Sequence, residues 1–244
     1  MRTPTGGFGS ELGQVDGDGR GVFGPELGGF TSQDGGQNTA AAEDAAMKTG
    51  TTTVGLKTDE GVVLATDMRA SMGYMVSSKD VQKVEEIHPT GALTIAGSVS
   101  AAQNLISSLK AEVRLYEARR GENMSMQALS TLTGNFLRSG AFLIVSPILG
   151  GVDDDGSHIY SIDALGGTTE ENYTVTGSGS QFALGVLEQQ YEEGLSIDEA
   201  KTIAANAIKT AVERDLASGN GINVAVVTED GVDISRHKNI DDVR

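Results

Sequence analysis

The first fifty positions carry no sustained hydrophobic period. Gly, Ser, Asp, Gln and Thr crowd the stretch, as in GGFGSELGQVDGDGRG, with few aliphatics among them. Such a segment buries too little apolar surface to offset its ordering entropy, so residues 1–50 are expected to form a flexible extension. Composition alone leaves a linker or an interaction tail equally open. From Thr51 the pattern changes. TTTVGLKTDEGVVLATD reads as two strands around a turn at Asp59–Gly61, the second carrying Val62, Val63 and Leu64. Ala92–Ala96 (ALTIA) predicts another buried strand, ending at Gly97. Leu105, Leu109, Val113 and Tyr116 recur every three to four residues, which predicts a helix over Ala101–Arg119. Leu129, Leu132 and Phe136 share one face of a second helix at Met126–Arg138. Strands follow at Phe142–Val152, His158–Asp163 and Tyr173–Thr176, then helices at Gln181–Glu193 and Ser196–Leu216. The last of these opens with a capping box, Ser196 to Glu199. Ile222–Val227 and Val232–Ile234 close the chain as strands.

Strands, a helix pair, strands, a helix pair and strands again is not the alternation of a doubly wound parallel sheet. It predicts an α+β fold, a four-layer αββα sandwich of two stacked, mainly antiparallel sheets flanked by helix pairs. Sheets covered on both sides also explain near-continuous apolar strands such as ALTIA and INVAVV.

Length sets one bound: 244 residues hold one well-buried core and a tail. Charge sets another. A net charge of −16 argues against nucleic-acid binding, which needs clustered Lys and Arg. A surface so acidic repels itself, a property that halophilic proteins tolerate, so a high-salt cytoplasm is expected. An ordinary acidic soluble protein is the plainer alternative. The absence of cysteine excludes disulfides, thiolate nucleophiles and Cys-rich zinc sites. Only His88, His158 and His237 could serve a Ser-His-Asp mechanism. They stand before Pro89 in an expected loop, at a strand start after Asp155–Gly156, and in the polar tail. No apolar run reaches the roughly 18 residues of a membrane span, and the first thirty residues lack a signal-peptide core, so neither membrane insertion nor export is expected.

The chemistry gathers where the polar extension meets the first strand, at Met47–Lys48–Thr49–Gly50–Thr51–Thr52–Thr53–Val54–Gly55. A threonine run before a strand is weak evidence alone, since Thr favours strands. Two further strings strengthen it: ATDMRAS with Asp67, and SSKDVQKVEEI with Lys83. Together they resemble the proteasome β subunits, members of the N-terminal nucleophile hydrolases, and the resemblance runs in order through residues 50–228. It implies autocleavage at Gly50–Thr51, which releases a propeptide of residues 1–50 and leaves a catalytic domain of residues 51–244. It also implies Thr51 as nucleophile, with Asp67 and Lys83 as its acidic and basic partners. A threonine hydroxyl needs a base, and an N-terminal amine, titrating at about 7.7–8.0, can act as one. A Lys83 ammonium would lower the hydroxyl and amine pKa values, and Asp67 would hold that ammonium in place.

The same resemblance assigns Gly97, in AGSVSAAQ, an oxyanion-hole N–H. It assigns Ser178, in TGSGS, and Asp215 and Ser218, in ERDLASG, a supporting role around the nucleophile. It places Ala70, Val81, Glu85, Ile95 and Val99 in a specificity pocket that favours hydrophobic residues. There Glu85 either faces the pocket and accepts a basic side chain or faces solvent. Ala101 stands where family members commonly carry an acid. SPILGGVD and YSIDALGG also match, as architecture. No cofactor or metal is implied. Implied partners are homo-oligomeric β rings, α-type subunits capping them, an unfolding ATPase docked through the α rings, and unfolded polypeptide substrates. Another N-terminal-threonine hydrolase and a catalytically silent ring subunit are the alternatives; intact Thr51, Asp67 and Lys83 weigh against the latter.

Two strings invite other readings. Strand, GSGS and helix at Gly177–Ser180 resembles a phosphate cradle, but Phe182 stands where the dinucleotide fingerprint needs a third small residue, and no Walker lysine follows. Asp153–Asp154–Asp155 before Gly156 reads as a hairpin turn rather than a metal site.

Overall fold

A computed structural model describes residues 50–142 and 145–243. The expected leader, apart from Gly50, lies outside the described residues.

Twelve strands build two five-stranded antiparallel sheets and one small hairpin among the described residues. The first sheet has the order β10-β1-β2-β11-β12. Its strands are β1 (Thr52–Lys57), β2 (Val62–Asp67), β10 (Tyr173–Gly177), β11 (Ile222–Thr228) and β12 (Gly231–His237). The second runs β5-β6-β7-β8-β9, with β5 (Val84–His88), β6 (Gly91–Thr94), β7 (Ile148–Asp153), β8 (Gly156–Ile162) and β9 (Thr168–Glu170). A hairpin of β3 (Ala70–Met72) and β4 (Met75–Ser78) stands apart from both. Helices α1 (Val99–Arg120) and α2 (Met126–Arg138) separate β6 from β7. Helices α3 (Ser180–Gln190) and α4 (Ile197–Arg214) separate β10 from β11.

The strand period of two sorts side chains into three apolar layers. Along β2, Val62 and Leu64 enter one layer while Val63 and Ala65 enter another. Along β7, Ile148 and Val152 face one way and Leu149 the other. The middle layer joins Val62 and Leu64 to Val84, Ala92, Ile148, Ile159 and Val227, and so lies between the two sheets. One outer layer packs Leu105, Leu109, Leu129 and Leu137 of α1 and α2 on the second sheet. The other packs Leu187, Ala204 and Ile208 of α3 and α4 on the first. Three apolar interlayers make a four-layer αββα sandwich, as the element order predicts.

Helix ends follow local chemistry. Ser98, Ser125 and Ser196 cap α1, α2 and α4, the last through the predicted capping box with Glu199. Three expectations need correction. The strand expected over Phe142–Val152 begins only at Ile148, because Pro147 cannot donate to a ladder; Phe142 stands in a turn and Val145 in an isolated bridge to Gly97. His88 is not in a loop but ends β5, buried. Helix α4 stops at Arg214, so Asp215 and Leu216 lie beyond its end.

Candidate active site

Strand pairing brings the predicted site residues to one end of the sandwich. In the first sheet β1 lies between β10 and β2, and β2 lies beside β11. The pairing is antiparallel, so the start of β1, the ends of β2 and β10 and the start of β11 share one edge. Thr51 precedes β1, Asp67 ends β2, Ser178 follows β10, and Asp215–Ser218 lead into β11. In the second sheet Val84 opposes Thr94, which sets Lys83, before β5, near Gly97, after β6.

Lys83 spans the pair of sheets. Its Nζ lies 3.0 Å from Thr51 Oγ1 and 2.7 Å from Asp67 Oδ1. Thr51, Asp67 and Lys83 are all buried, with Lys83 only 1% exposed. Burial pulls the Lys83 ammonium below its ordinary value, and the Asp67 charge works against that pull. The Asp67 carboxylate is fully occupied. Oδ1 also accepts the Thr52 N–H at 3.1 Å, and Oδ2 accepts the Arg69 and Gly219 N–H groups, each at 2.9 Å. A carboxylate with four donors around it has one orientation.

On the far side of Thr51, its backbone N–H donates to Ser178 Oγ at 3.2 Å. Ser178 and Ser218 each donate to Asp215 Oδ2 at 2.6 Å. Ser218 Oγ lies 2.7 Å from Thr52 Oγ1. The two-residue turn after β10 explains its glycines. A Cβ on Gly177, which has φ +99°, would lie 2.0 Å from the Thr51 carbonyl oxygen, and one on Gly179 would lie 2.1 Å from Thr52 Oγ1. The GSGS string is thus a close approach of backbone to Thr51 and Thr52, not a cradle open to phosphate.

Thr51 is still joined to Gly50. Its Oγ1 donates to the Gly50 carbonyl oxygen at 2.6 Å, and the Gly50 N–H donates to Ser71 Oγ at 3.1 Å. The hydroxyl therefore sits against the carbonyl of the bond that precedes it, with a buried ammonium on its other side.

The remaining predicted residues are more dispersed. Gly97 bridges to Val145 with φ +110°, and none of the described hydrogen bonds joins it to Thr51, Asp67 or Lys83. Ala70, Val81 and Val99 are half-buried and Ile95 is buried. Glu85 is half-buried, lies 3.7 Å from Lys110 of α1, and lines a cavity of about 410 Å³ with Gln82, His88 and Glu117. None of the other four pocket candidates lines that cavity. Asp153 and Gly156 close the two-residue hairpin between β7 and β8, where Asp153 caps Asp155 and Met126 and pairs with His158.

Sequence reasoning misses Ser71, Arg69, Gly219 and Asn223. Arg69 and Gly219 act through backbone N–H groups and Ser71 through a hydroxyl that accepts from a distant segment, none with a local signal. Asn223 does carry one: it is a lone amide in the apolar strand INVAVVT, and it is fully buried.

A family model described as "Proteasome subunit" matches residues 47–227. The chain is 74% identical over 242 residues to a protein described as "Proteasome subunit beta" from Haloferax volcanii, with 99% of each chain covered. It is 72% identical over 244 residues to one of the same description from Halorubrum lacusprofundi, covering 100% of both. A third, from Haloquadratum walsbyi, is 70% identical over 244 residues, again covering 100% of both.

Proposed function

We propose, from the premise that this chain belongs to the proteasome subunit family, that it is a β-type subunit of the proteasome core and a threonine endopeptidase that activates itself. The observation that carries this reading is the buried row Gly50 O, Thr51 Oγ1, Lys83 Nζ, Asp67 Oδ1, linked by contacts of 2.6, 3.0 and 2.7 Å.

In the precursor the Thr51 nitrogen is an amide and cannot act as a base. The hydroxyl attacks the Gly50 carbonyl carbon, the Gly50–Thr51 C–N bond breaks, and the Thr51 nitrogen leaves as an amine carrying the transferred proton. Water then cleaves the resulting ester, freeing residues 1–50 and restoring the hydroxyl. Lys83 supplies positive charge beside the oxygen throughout, which lowers the proton affinity of the Thr51 hydroxyl and eases loss of its proton.

In the mature protein the freed α-amine is the base that the nucleophile lacked. Ser178, held by Asp215, lies at hydrogen-bond distance from that nitrogen and orients it. The hydroxyl attacks a substrate carbonyl to give an acyl-enzyme, which water hydrolyses. Gly97 is assigned the N–H facing the developing oxyanion. Ala70, Val81, Ile95 and Val99 are assigned the pocket beside Thr51, while Glu85, turned toward Lys110 in the cavity with Gln82, His88 and Glu117, is left out of it.

We assign homo-oligomeric β rings capped by α-type subunits, fed with unfolded polypeptide by an ATPase docked on those caps, in the cytoplasm of a high-salt cell. Loss of residues 1–50 moves the net charge from −16 to −12, since that segment holds seven acids and three bases. The deciding experiment is the mass of the N-terminal peptide of active particles. The reading expects Thr51 at the N-terminus, and a full-length, inactive chain for Thr51→Ala. Full activity with the leader intact would overturn it.

A further inference from the structure

Lys83 stands on a segment with no ladder of its own. From Lys79 to Lys83 the chain has no regular structure, and only at Val84 does β5 begin. Yet its ammonium must meet both Asp67, at the end of a strand in the other sheet, and Thr51. Something must fix this irregular segment against β2.

Backbone ties are few. The Val81 N–H donates to Met68 O at 3.0 Å, and Ile95 N–H donates to Lys83 O at 2.7 Å. The third tie is a side chain. Asn223, fully buried in β11, places Nδ2 3.1 Å from Val81 O, 2.9 Å from Thr66 Oγ1 and 3.4 Å from Asp67 O. One amide group thus bonds the Lys83 segment on one side and the Asp67 strand on the other. Its own oxygen is fixed from outside: Arg236, opposite it on β12, donates from Nε to Asn223 Oδ1 at 3.2 Å. The same guanidinium reaches the Asp80 carboxylate, which also pairs with Lys238. Asp80 lies three residues before Lys83.

We propose that Asn223 is a positioning residue for the Lys83–Asp67 pair and that Arg236 braces it, so that the C-terminal hairpin β11–β12 sets the geometry of the site. This rests on the catalytic reading of Lys83 given above. Only an amide meets the need at this position. It offers two protons to oxygens on one side and an acceptor to Arg236 on the other. Aspartate of the same shape would turn a carboxylate toward three oxygen atoms. Alanine would strand the Val81 carbonyl and release the segment. Misplacement by about 1 Å is enough to cost roughly 100-fold in rate.

The test compares Asn223→Ala, Asn223→Asp, Arg236→Gln and Arg236→Lys in the full chain, assembled as expressed. Val224→Ala, a buried neighbour on the opposite face packed among the residues of α3 and α4, is the stability control. The readouts are kcat and KM for peptide hydrolysis, the pH profile of kcat, and thermal unfolding. Asn223→Ala is expected to lower kcat by about 10- to 100-fold with KM little changed. It should also move the basic limb of the profile to lower pH, because Lys83 loses the carboxylate that holds its proton. Asn223→Asp should lower kcat at least as much. Arg236→Gln should move the same readouts less, and Arg236→Lys should restore part of the loss. If Asn223→Ala behaves like Val224→Ala, less stable but unchanged in kcat and pH profile, Asn223 is a core residue only and the proposal falls. Should Asn223→Ala not fold, Arg236→Gln decides by the same readouts. Lys83→Ala separates the two failures. An active Lys83→Ala sinks the catalytic reading, whereas an inactive one beside a fully active Asn223→Ala sinks only the role of Asn223.

Discussion

Lys83 Nζ lies 2.7 Å from Asp67 Oδ1, with the Lys83 side chain 1% exposed and the Asp67 side chain 0%. The pair is unequal in its support. Asp67 keeps three backbone donors besides Lys83, from Thr52, Arg69 and Gly219, while Lys83 has no other carboxylate in contact among the described residues.

That inequality predicts different stability losses for equal losses of activity. Asp67→Asn turns an NH₂ toward N–H or ammonium donors whichever way it is flipped, and it leaves a buried ammonium unpaired. It is expected to cost about 3–5 kcal/mol of stability. Lys83→Ala leaves Asp67 with three donors and should cost less. Both should lower peptide hydrolysis by about 100- to 10,000-fold, the range for loss of a positioned proton-transfer group. Thermal unfolding and turnover of the same preparations check this. An Asp67→Asn variant as stable as the parent would show that the carboxylate is not held as described.

Gly50 is constrained by packing. A Cβ there would lie 1.7 Å from Ala217 Cβ and 3.0 Å from Ser178 Oγ. Gly50→Ala must therefore push the Gly50 carbonyl away from Thr51 Oγ1 or displace Ala217, beside Asp215 and Ser218. Leader removal should slow by at least about tenfold, on the scale that small misplacements cost in rate. Once released, the mature chain is identical and should have normal turnover. Time courses of processing by intact mass give the first quantity. Processing at the parental rate would refute the packing argument.

On the proposed role of Lys83, its depressed proton affinity is expected to set an upper pH limit on activity. Activity should rise as the Thr51 α-amine loses its proton, at about 7.7–8.0 or below beside an ammonium. It should then fall as Lys83 deprotonates. Burial disfavours the ammonium, so this second limb lies below the 10.5 of an ordinary lysine. A profile of kcat against pH for the processed protein checks the sign. A plateau that persists to pH 10.5 would mean that the Lys83 charge is not required.

The apolar strands were legible because both of their faces are buried, and helix α1 because its buried residues recur on one face. Val62–Ala65, Ile222–Val227 and helix α1 follow their predicted cores. The β3–β4 hairpin was not, since Met72, Tyr74, Met75 and Val76 are all exposed and follow no burial pattern. Strand β5 was hidden by Glu85 and Glu86 in its middle. The meeting of Thr51, Asp67 and Lys83 was legible through family resemblance. Their supports were not, because Gly219 contributes only a backbone N–H and Ser71 only a hydroxyl to a distant chain segment. Such contacts depend on which strands become neighbours, and no local spacing encodes that.

His88 is expected to make the folded state sensitive to acid independently of the active site. It is 3% exposed, its Nδ1 accepts the Thr90 backbone N–H at 3.1 Å, and its Nε2 has no hydrogen-bond partner among the described residues. That arrangement fits a neutral ring protonated on Nε2. Burial holds its pKa below 6.5, with the charges of Glu117 and Asp153 opposing the shift only in part. Between the folded value and 6.5 the unfolded chain therefore binds more protons, so stability rises with pH across that window. The contribution is complete above 6.5, declines as pH falls toward the folded value, and is constant below it. His88→Asn keeps an acceptor for the Thr90 N–H but does not titrate. Melting temperatures from pH 8 to pH 5 should fall more steeply for the parent than for this variant, while carboxylates common to both cancel in the comparison. Parallel curves would mean that His88 takes up its proton in the folded state as readily as in the unfolded chain.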